Sequence, residues 1–385
     1  VRVYADNAAT TKMSRKAIEA MLPFFDEVYG NPSSLYSIGQ EAARAVQRAR
    51  ETMAGLLSCE AREITFTSGG SESNNQAIIS AALSGGKKGK RHIVSSAIEH
   101  HAVLNTLKRL TKQGFELTLL GVGESGIVRP EDVEAAIRED TCLVTIMYAN
   151  NEIGTIQPVS EIGEICRNKG VLFHTDAVQA AGHLCIDVKE QNIDLLSLSA
   201  HKFHGPKGVG ALYARKGIEL TSIIEGGAQE RGKRAGTENV PGIVGMAAAF
   251  EEACSHIPEN SKKVSALRDR LIEGLSKIPG SFLNGDRKHR LPGNVSFCFE
   301  DVDGEALVLL LDKKGICASS GSACSSGSLD PSHVLLALGR PPELARGSLR
   351  ISLGRYNTEE EADYILEVVP ELVSYLRGFS SAWNA

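Results

Sequence analysis

The chain contains no apolar run approaching the roughly 18 residues needed to cross a membrane, and it passes through Val1-Arg2-Val3-Tyr4-Ala5-Asp6 without the apolar core of a secretory leader. A cytoplasmic protein with no membrane partner is the expectation. A strongly basic balance is also missing. The formal net charge is −5, and the one basic run, Lys87-Lys88-Gly89-Lys90-Arg91, is short and free of interleaved aromatics. It reads as a solvated loop, so direct nucleic-acid binding is not expected. The eight cysteines, at 59, 142, 166, 185, 254, 298, 317 and 324, form no Cys-x-x-Cys pair, which argues against a disulfide scaffold and against a compact zinc site. Internal repeats are absent, and low complexity is confined to one Ser/Gly-rich segment around Cys324.

What is present is ordinary globular material: 385 residues, 42% hydrophobic, enough for about two domains with a sizeable core. Strand-like runs occur at Glu63–Thr67, His92–Ser95, Leu117–Leu120, Cys142–Tyr148, Val171–His174, Leu195–Leu198 and Gly210–Tyr213. Helix-like stretches separate the earlier ones at Ser71–Leu83, His100–Gln113, Pro130–Ile137 and Ser160–Lys169. This alternation predicts an α/β fold with a mainly parallel sheet covered on both faces, and in such sheets ligands bind at the carboxyl ends of the strands. Glu251–Lys277 reads as one long helix leaving this domain. Alternating segments at Asn294–Phe299 and Arg350–Ser352, with helices around Glu305–Leu311 and Glu359–Leu376, then suggest a smaller α+β domain. The expected division is a large domain over 12–255 and a small one built from 1–11 and 256–385.

The strand ends carry the chemistry. Ser199-Ala200-His201-Lys202-Phe203-His204-Gly205-Pro206-Lys207-Gly208 follows an apolar strand and sets one lysine among hydroxyl, imidazole and glycine groups. That is a setting for a Schiff-base lysine beside an anion held by Ser199 and His201, although a surface lysine in a Gly-Pro turn has the same composition. Phe66-Thr67-Ser68-Gly69-Gly70-Ser71 closes a strand and opens a helix, so that backbone N–H groups and a hydroxyl would converge on a phosphate or simply cap the helix. Asp176 stands at another strand tip, where an aspartate either caps or keeps a pyridine nitrogen protonated. Tyr148-Ala149-Asn150-Asn151-Glu152-Ile153-Gly154 brings amides, and Glu99-His100-His101 brings imidazoles at a helix start. Cys142, Cys166, Cys185 and Cys298 lie in apolar runs and are expected in the core. Cys324, inside Ser319-Ser320-Gly321-Ser322-Ala323-Cys324-Ser325-Ser326-Gly327-Ser328, is expected to be accessible.

In this order and spacing, these motifs resemble the fold-type I pyridoxal-phosphate enzymes of the class V aminotransferase group, and within it the cysteine desulfurases. The likeness extends through Asn7-Ala8-Ala9-Thr10-Thr11, Gly30-Asn31-Pro32-Ser33-Ser34, Gln229-Glu230-Arg231-Gly232 and Arg234-Ala235-Gly236-Thr237-Glu238-Asn239. The resemblance implies a mainly parallel seven-stranded sheet in the large domain and pyridoxal 5'-phosphate as cofactor. It makes Lys202 the Schiff-base lysine, Asp176 the partner of the ring nitrogen, His100 the ring-stacking and proton-transfer residue, and Gln179 the ligand of the ring hydroxyl. The phosphate falls to Ser71, Ser199, His201 and the backbone at Gly70, with Thr237 reaching a phosphate in the partner subunit of a homodimer. Asn151 and Arg350 would hold the substrate, the arginine by its carboxylate. Ser71 replaces a common threonine, Asn74 a common aspartate and Tyr36 a common histidine, and none of these changes removes a catalytic group.

The activity so implied is removal of sulfur from L-cysteine, giving L-alanine and a persulfide on Cys324. The sulfur would pass to an acceptor protein such as an iron–sulfur scaffold or a tRNA-thiolation enzyme. With no other metal site expected, Cys324 is the one candidate cluster ligand. A selenocysteine lyase or a class V aminotransferase would share the cofactor site, the latter without need of Cys324. A non-enzymatic assembly protein is disfavoured by the presence together of Lys202, Asp176 and His100.

Overall fold

The computed structural model describes residues 2–321 and 330–383. Among them, seven strands form the main sheet in the order Ile64–Thr67, Gly210–Ala214, Leu195–Ser199, Leu172–Asp176, Thr141–Thr145, His92–Ser96 and Glu116–Leu120. Gly210–Ala214 is antiparallel to both neighbours and every other pairing is parallel. The remaining strands therefore end on one edge, which is where the sequence motifs fall. All seven predicted runs are present. The Cys142–Tyr148 run leaves regular strand at Thr145, but its pairing continues, with Ile146 N and Tyr148 N donating to His174 O and Asp176 O.

The interior strands are apolar because both faces are covered. Strand geometry sends successive residues to opposite faces, so Leu196 and Leu198 join one core with Phe203 and Phe250, while Leu195 and Leu212 join a second under Ile78 and Leu107. The covering helices Gly70–Gly86, His101–Thr111, Pro130–Ala136 and Val159–Lys169 match the expected stretches. The last ends at Gly170, whose φ of 65° and N–H bonds to Arg167 O and Cys166 O form a left-handed cap.

Two expectations are corrected. Glu251–Lys277 is not one helix: Val240–Ser255 and Ile257–Leu275 meet at His256, which leaves helical geometry at φ −112° and ψ 9°. The cause is Pro258, which has no N–H for the preceding turn and is tolerated only at the start of the second helix. Cys185 is exposed rather than buried, because its Leu184-Cys185-Ile186 run belongs to no strand or helix and only Ile186 turns fully inward.

A three-stranded antiparallel sheet, Ser281–Leu283, Asn294–Phe299 and Ser348–Ser352, packs with helices Ile257–Leu275, Gly304–Lys313 and Glu359–Trp383. Val295, Phe297, Phe299, Leu349 and Ile351 face its core with Leu271 and Val369. The alternate positions Asn294, Ser296, Ser348, Arg350 and Ser352 are polar yet also buried. The N-terminal segment packs here: Val3–Tyr4 pairs in parallel with Ile316–Cys317, and Ser352 N donates to Ala5 O.

A buried ion pair fixes the loop that carries Thr237. Arg50 meets Glu230 in a bidentate contact at 2.6 and 2.7 Å, Glu230 Oε2 accepts from Phe66 N, and Arg50 Nη1 donates to Ile64 O. Glu230 and Arg231 both take left-handed backbone, φ 48° and 60°, so the pair also holds a strained turn in place. Glu230→Ala, which leaves Arg50 charged and buried, is expected to cost about 3–5 kcal/mol, read as a lower midpoint of urea unfolding. The double variant Arg50→Met/Glu230→Met should recover most of that loss, and an equal loss in both would contradict this account.

Candidate active site

The strand Leu195–Ser199 runs directly into a short turn, Ala200–Lys202, that carries the lysine past the sheet edge. Its backbone is fastened to the N-terminal segment: Thr11 donates to His201 O from both N and Oγ1, and His204 N donates to Thr11 Oγ1. Lys202 Nζ donates to Ala8 O at 2.5 Å and Ala9 O at 2.8 Å. These carbonyls belong to the turn that follows Asp6 and form one wall of a cavity of about 300 Å³.

The opposite wall is acidic and aromatic. Asp176 ends its strand 6% exposed, with Oδ1 accepting from Val178 N and Oδ2 from Asn74 Nδ2 at 2.7 Å. His100 caps the helix His101–Thr111, and its Nδ1 accepts from Ala102 N at 3.1 Å. Burial holds the imidazole below its usual pKa and Lys202 adds to this, against an opposing effect of Asp176. A neutral imidazole that accepts at Nδ1 carries its proton on Nε2, so His100 is a hydrogen-bond and proton donor at that atom. His100 is thus both the cap of this helix and a lining residue of the cavity.

Beside Ser199, helix Gly70–Gly86 begins after Gly69, whose φ of 153° suits glycine. A Cβ on Gly70 would meet Val178 Cγ2 at 2.6 Å, and one on Gly69 would lie 3.7 Å from Ser199 Oγ. Ser71, Ser199 and His201 line the cavity with Gly70. His201 Nδ1 is 3.1 Å from Thr10 Oγ1, and burial, with Lys202 and Lys207, lowers its pKa to about 4. Pyridoxal phosphate fits this donor set: first-turn N–H groups and two hydroxyls for the anion, a carboxylate for the ring nitrogen, and an amine between them. Gln179 lines the same space, with Nε2 donating to Ala8 O.

Not every expected residue reaches the cavity. Asn151 lines it, but Arg350 stands one contact behind, Nη1 donating to Asn151 O at 3.1 Å and Nη2 paired with Asp6 at 2.9 Å. Thr237 is exposed on its loop, away from this chain's cavity. Cys324 lies outside the described residues. Before that segment, Gly321 N donates to Ser348 Oγ; after it, Ser332 Oγ bonds Glu152.

Sequence reasoning missed four groups. Asn74, one helical turn after Gly70, donates to Asp176; its i, i+4 spacing from the glycine was the available signal. Ala8 and Ala9 act through carbonyls and gave none. Glu99 is fully buried, bonded to Ser96 Oγ and Met147 N, and pushed up to about 8 chiefly by burial. Glu152, likewise buried, is raised to about 7 against the opposing effects of Ser332 and Arg350.

The family model described as aminotransferase class-V matches residues 3–365. The chain is 57% identical over 378 residues to the cysteine desulfurase IscS of Methanosarcina thermophila, covering 98% of this chain and 93% of that one. It is 55% identical to the IscS of a Clostridium botulinum strain, covering 100% and 97%. A solved NifS-like protein superposes with a TM-score of 0.91 at 42% identity, covering 97% of this chain and all of the other. A structure described as SspA in complex with cysteine gives 0.81 at 38% identity, covering 93% and 100%. With this fold and this cavity, the chain belongs to the class-V aminotransferase family and, within it, to the pyridoxal-phosphate-dependent cysteine desulfurases.

Proposed function

We propose that the desulfurase activity is carried by Lys202, Asp176, His100 and Cys324, with L-cysteine as substrate and L-alanine as product. The observation that supports this most directly is the convergence of Lys202, Asp176 and His100 on one cavity at the sheet's carboxyl edge. Pyridoxal phosphate, when bound there, supplies an electron-withdrawing ring that stabilises negative charge at the substrate α-carbon. Asp176 would hold the ring nitrogen's proton, its carboxylate oriented by Asn74 and the Val178 amide. Gly70, Ser71, Ser199 and His201 would hold the phosphate, Gln179 the ring hydroxyl, and Asn151 with Arg350 the substrate. Lys202 Nζ would move the α-proton, and the Ala8 and Ala9 carbonyls receive the ammonium it becomes.

The sulfur step needs no outside oxidant. The Cys324 thiolate attacks the substrate sulfur; an S–S bond forms as the C–S bond breaks, the bonding pair passes to carbon, and a proton delivered there completes alanine. His100 Nε2–H is a proton donor at hand. The persulfide on Cys324 would then be taken by an acceptor protein of iron–sulfur assembly or tRNA thiolation. Among the described residues, no helix is long and apolar enough to cross a membrane; a cytoplasmic setting is part of this proposal.

A homodimer is also proposed. Leu22, Phe25, Tyr29, Leu35 and Tyr36 are exposed within one short stretch, Leu35 to 93%, and Thr237 is exposed on its own loop. Apolar exposure of this kind marks an interaction surface, and a second copy would bring Thr237 to the neighbouring phosphate. Light scattering should give twice the chain mass, and a fully active monomer would rule the dimer out.

Two substitutions test the chemistry. Lys202→Ala should lose both turnover and the visible absorbance of the lysine-linked cofactor, and unchanged absorbance would remove Lys202 from its role. Cys324→Ser should fold and retain cofactor but release neither alanine nor sulfide above background, since serine cannot accept sulfur. Cys317→Ser is the control and should still form persulfide. The opposite pattern, a dead Cys317→Ser beside an active Cys324→Ser, would overturn the assignment.

A further inference from the structure

Arg350 is 3% exposed, and its charge is permanent in a protein interior. Its backbone is fixed by a two-way bridge to Ser319, N to O and O to N. The guanidinium is fixed separately. Nη1 donates to Asn151 O, Nη2 pairs with Asp6 Oδ1 at 2.9 Å, and Nε has no partner among the described residues. The other carboxyl near it, Glu152, is bonded to Ser332 rather than to the guanidinium, and burial favours its neutral form. Asp6 is therefore the carboxylate in contact with Arg350 among the described residues.

Asp6 is itself rigid. Its carbonyl accepts from Ala9 N and Tyr4 Oη, and its backbone bridges in parallel to Ser352, two residues beyond Arg350 on the same strand. A carboxylate held in this way constrains a planar guanidinium at one nitrogen, and Asn151 O constrains it at another. Two fixed points restrict rotation of the plane, and the N–H donors not so used, Nε–H and one on each of Nη1 and Nη2, are those that can meet an incoming anion.

We propose that Asp6 is a positioning residue for substrate recognition, orienting the Arg350 guanidinium so that its remaining N–H donors receive the substrate α-carboxylate. The inference rests on the reading of Arg350 as the carboxylate anchor. It assigns Asp6 no contact with the reacting atoms; its effect is on which amines the site accepts. Asp6 thereby becomes a determinant of selectivity for amino acids over amines of the same size.

The test uses the holoenzyme, with L-alanine and ethylamine, which differ by the carboxylate, as calorimetric probes. Asp6→Asn should weaken L-alanine binding about tenfold, the scale of one lost charge-assisted contact, and leave ethylamine binding unchanged. KM for L-cysteine should rise by a similar factor, with kcat within about threefold. Asp6→Glu keeps the charge and shifts it by one methylene, and it should weaken L-alanine selectively too should Asp6→Asn fail to fold. Equal weakening of both probes, with a lower thermal midpoint, would reduce Asp6 to a structural role and overturn the proposal. So would unchanged or tighter L-alanine binding in the Asp6 variants. Arg350→Gln separates the two layers. If it spares L-alanine binding, the reading of Arg350 has failed; if it abolishes discrimination while both Asp6 variants retain it, only the role of Asp6 has failed.

Discussion

The site depends on one junction: the hydrogen bonds between the N-terminal turn and the lysine turn. Thr11 is bonded to His201, 190 residues later, and Ala8 and Ala9 present their carbonyls to the Lys202 ammonium. A lysine on a free loop would be solvated and its reach undefined. Here the turn is bonded through its backbone before the side chain begins, so the amine has one address. The same N-terminal turn reaches the smaller sheet, where Ala8 N donates to Ser352 Oγ. The main sheet, the smaller sheet and the lysine are joined through this one short segment.

Around that junction, charge is rationed by burial. His100 and His201, beside Lys202, are both kept toward the neutral form chiefly by burial. Glu99, close enough to feel the charge of Asp176, is pushed toward its protonated form chiefly by burial, so a second negative charge is withheld from the surroundings of Asp176. Each effect follows from desolvation more than from a specific partner. Among the described residues, Asp176 and Lys202 are the carboxylate and the amine that line the cavity.

Much of this could be read from the sequence, for reasons that differ by element. The seven strands and their four covering helices were legible because a sheet buried on both faces leaves uninterrupted apolar runs, bounded by polar turn residues that also carry the motifs. Lys202, His100 and Asp176 were legible because each lies at or just beyond the carboxyl end of a strand. The break at His256 was legible in principle from Pro258 but was overridden by a long charged pattern. Cys185 was misplaced because apolar neighbours were taken for a buried element. The pairing of Asp6 with Arg350 had no local signature at all: a contact across 344 residues appears only when two sheets are brought together. The polar alternate face of Asn294–Phe299 and Ser348–Ser352 is buried in the same long-range way. It is covered by residues that the sequence keeps far away.

That separation has a consequence for how the protein is made. During synthesis the turn after Asp6 emerges well before Arg350 and Ser352, its partners on the smaller sheet. Until then the Asp6 carboxylate and the Ala8 amide lack those partners, although Lys202 can already reach the Ala8 and Ala9 carbonyls. The residues that line the pocket and hold Lys202 all lie between Ala8 and Lys202, so the lysine can gain its clamp early, and what comes later is the tie between that clamp and the smaller sheet.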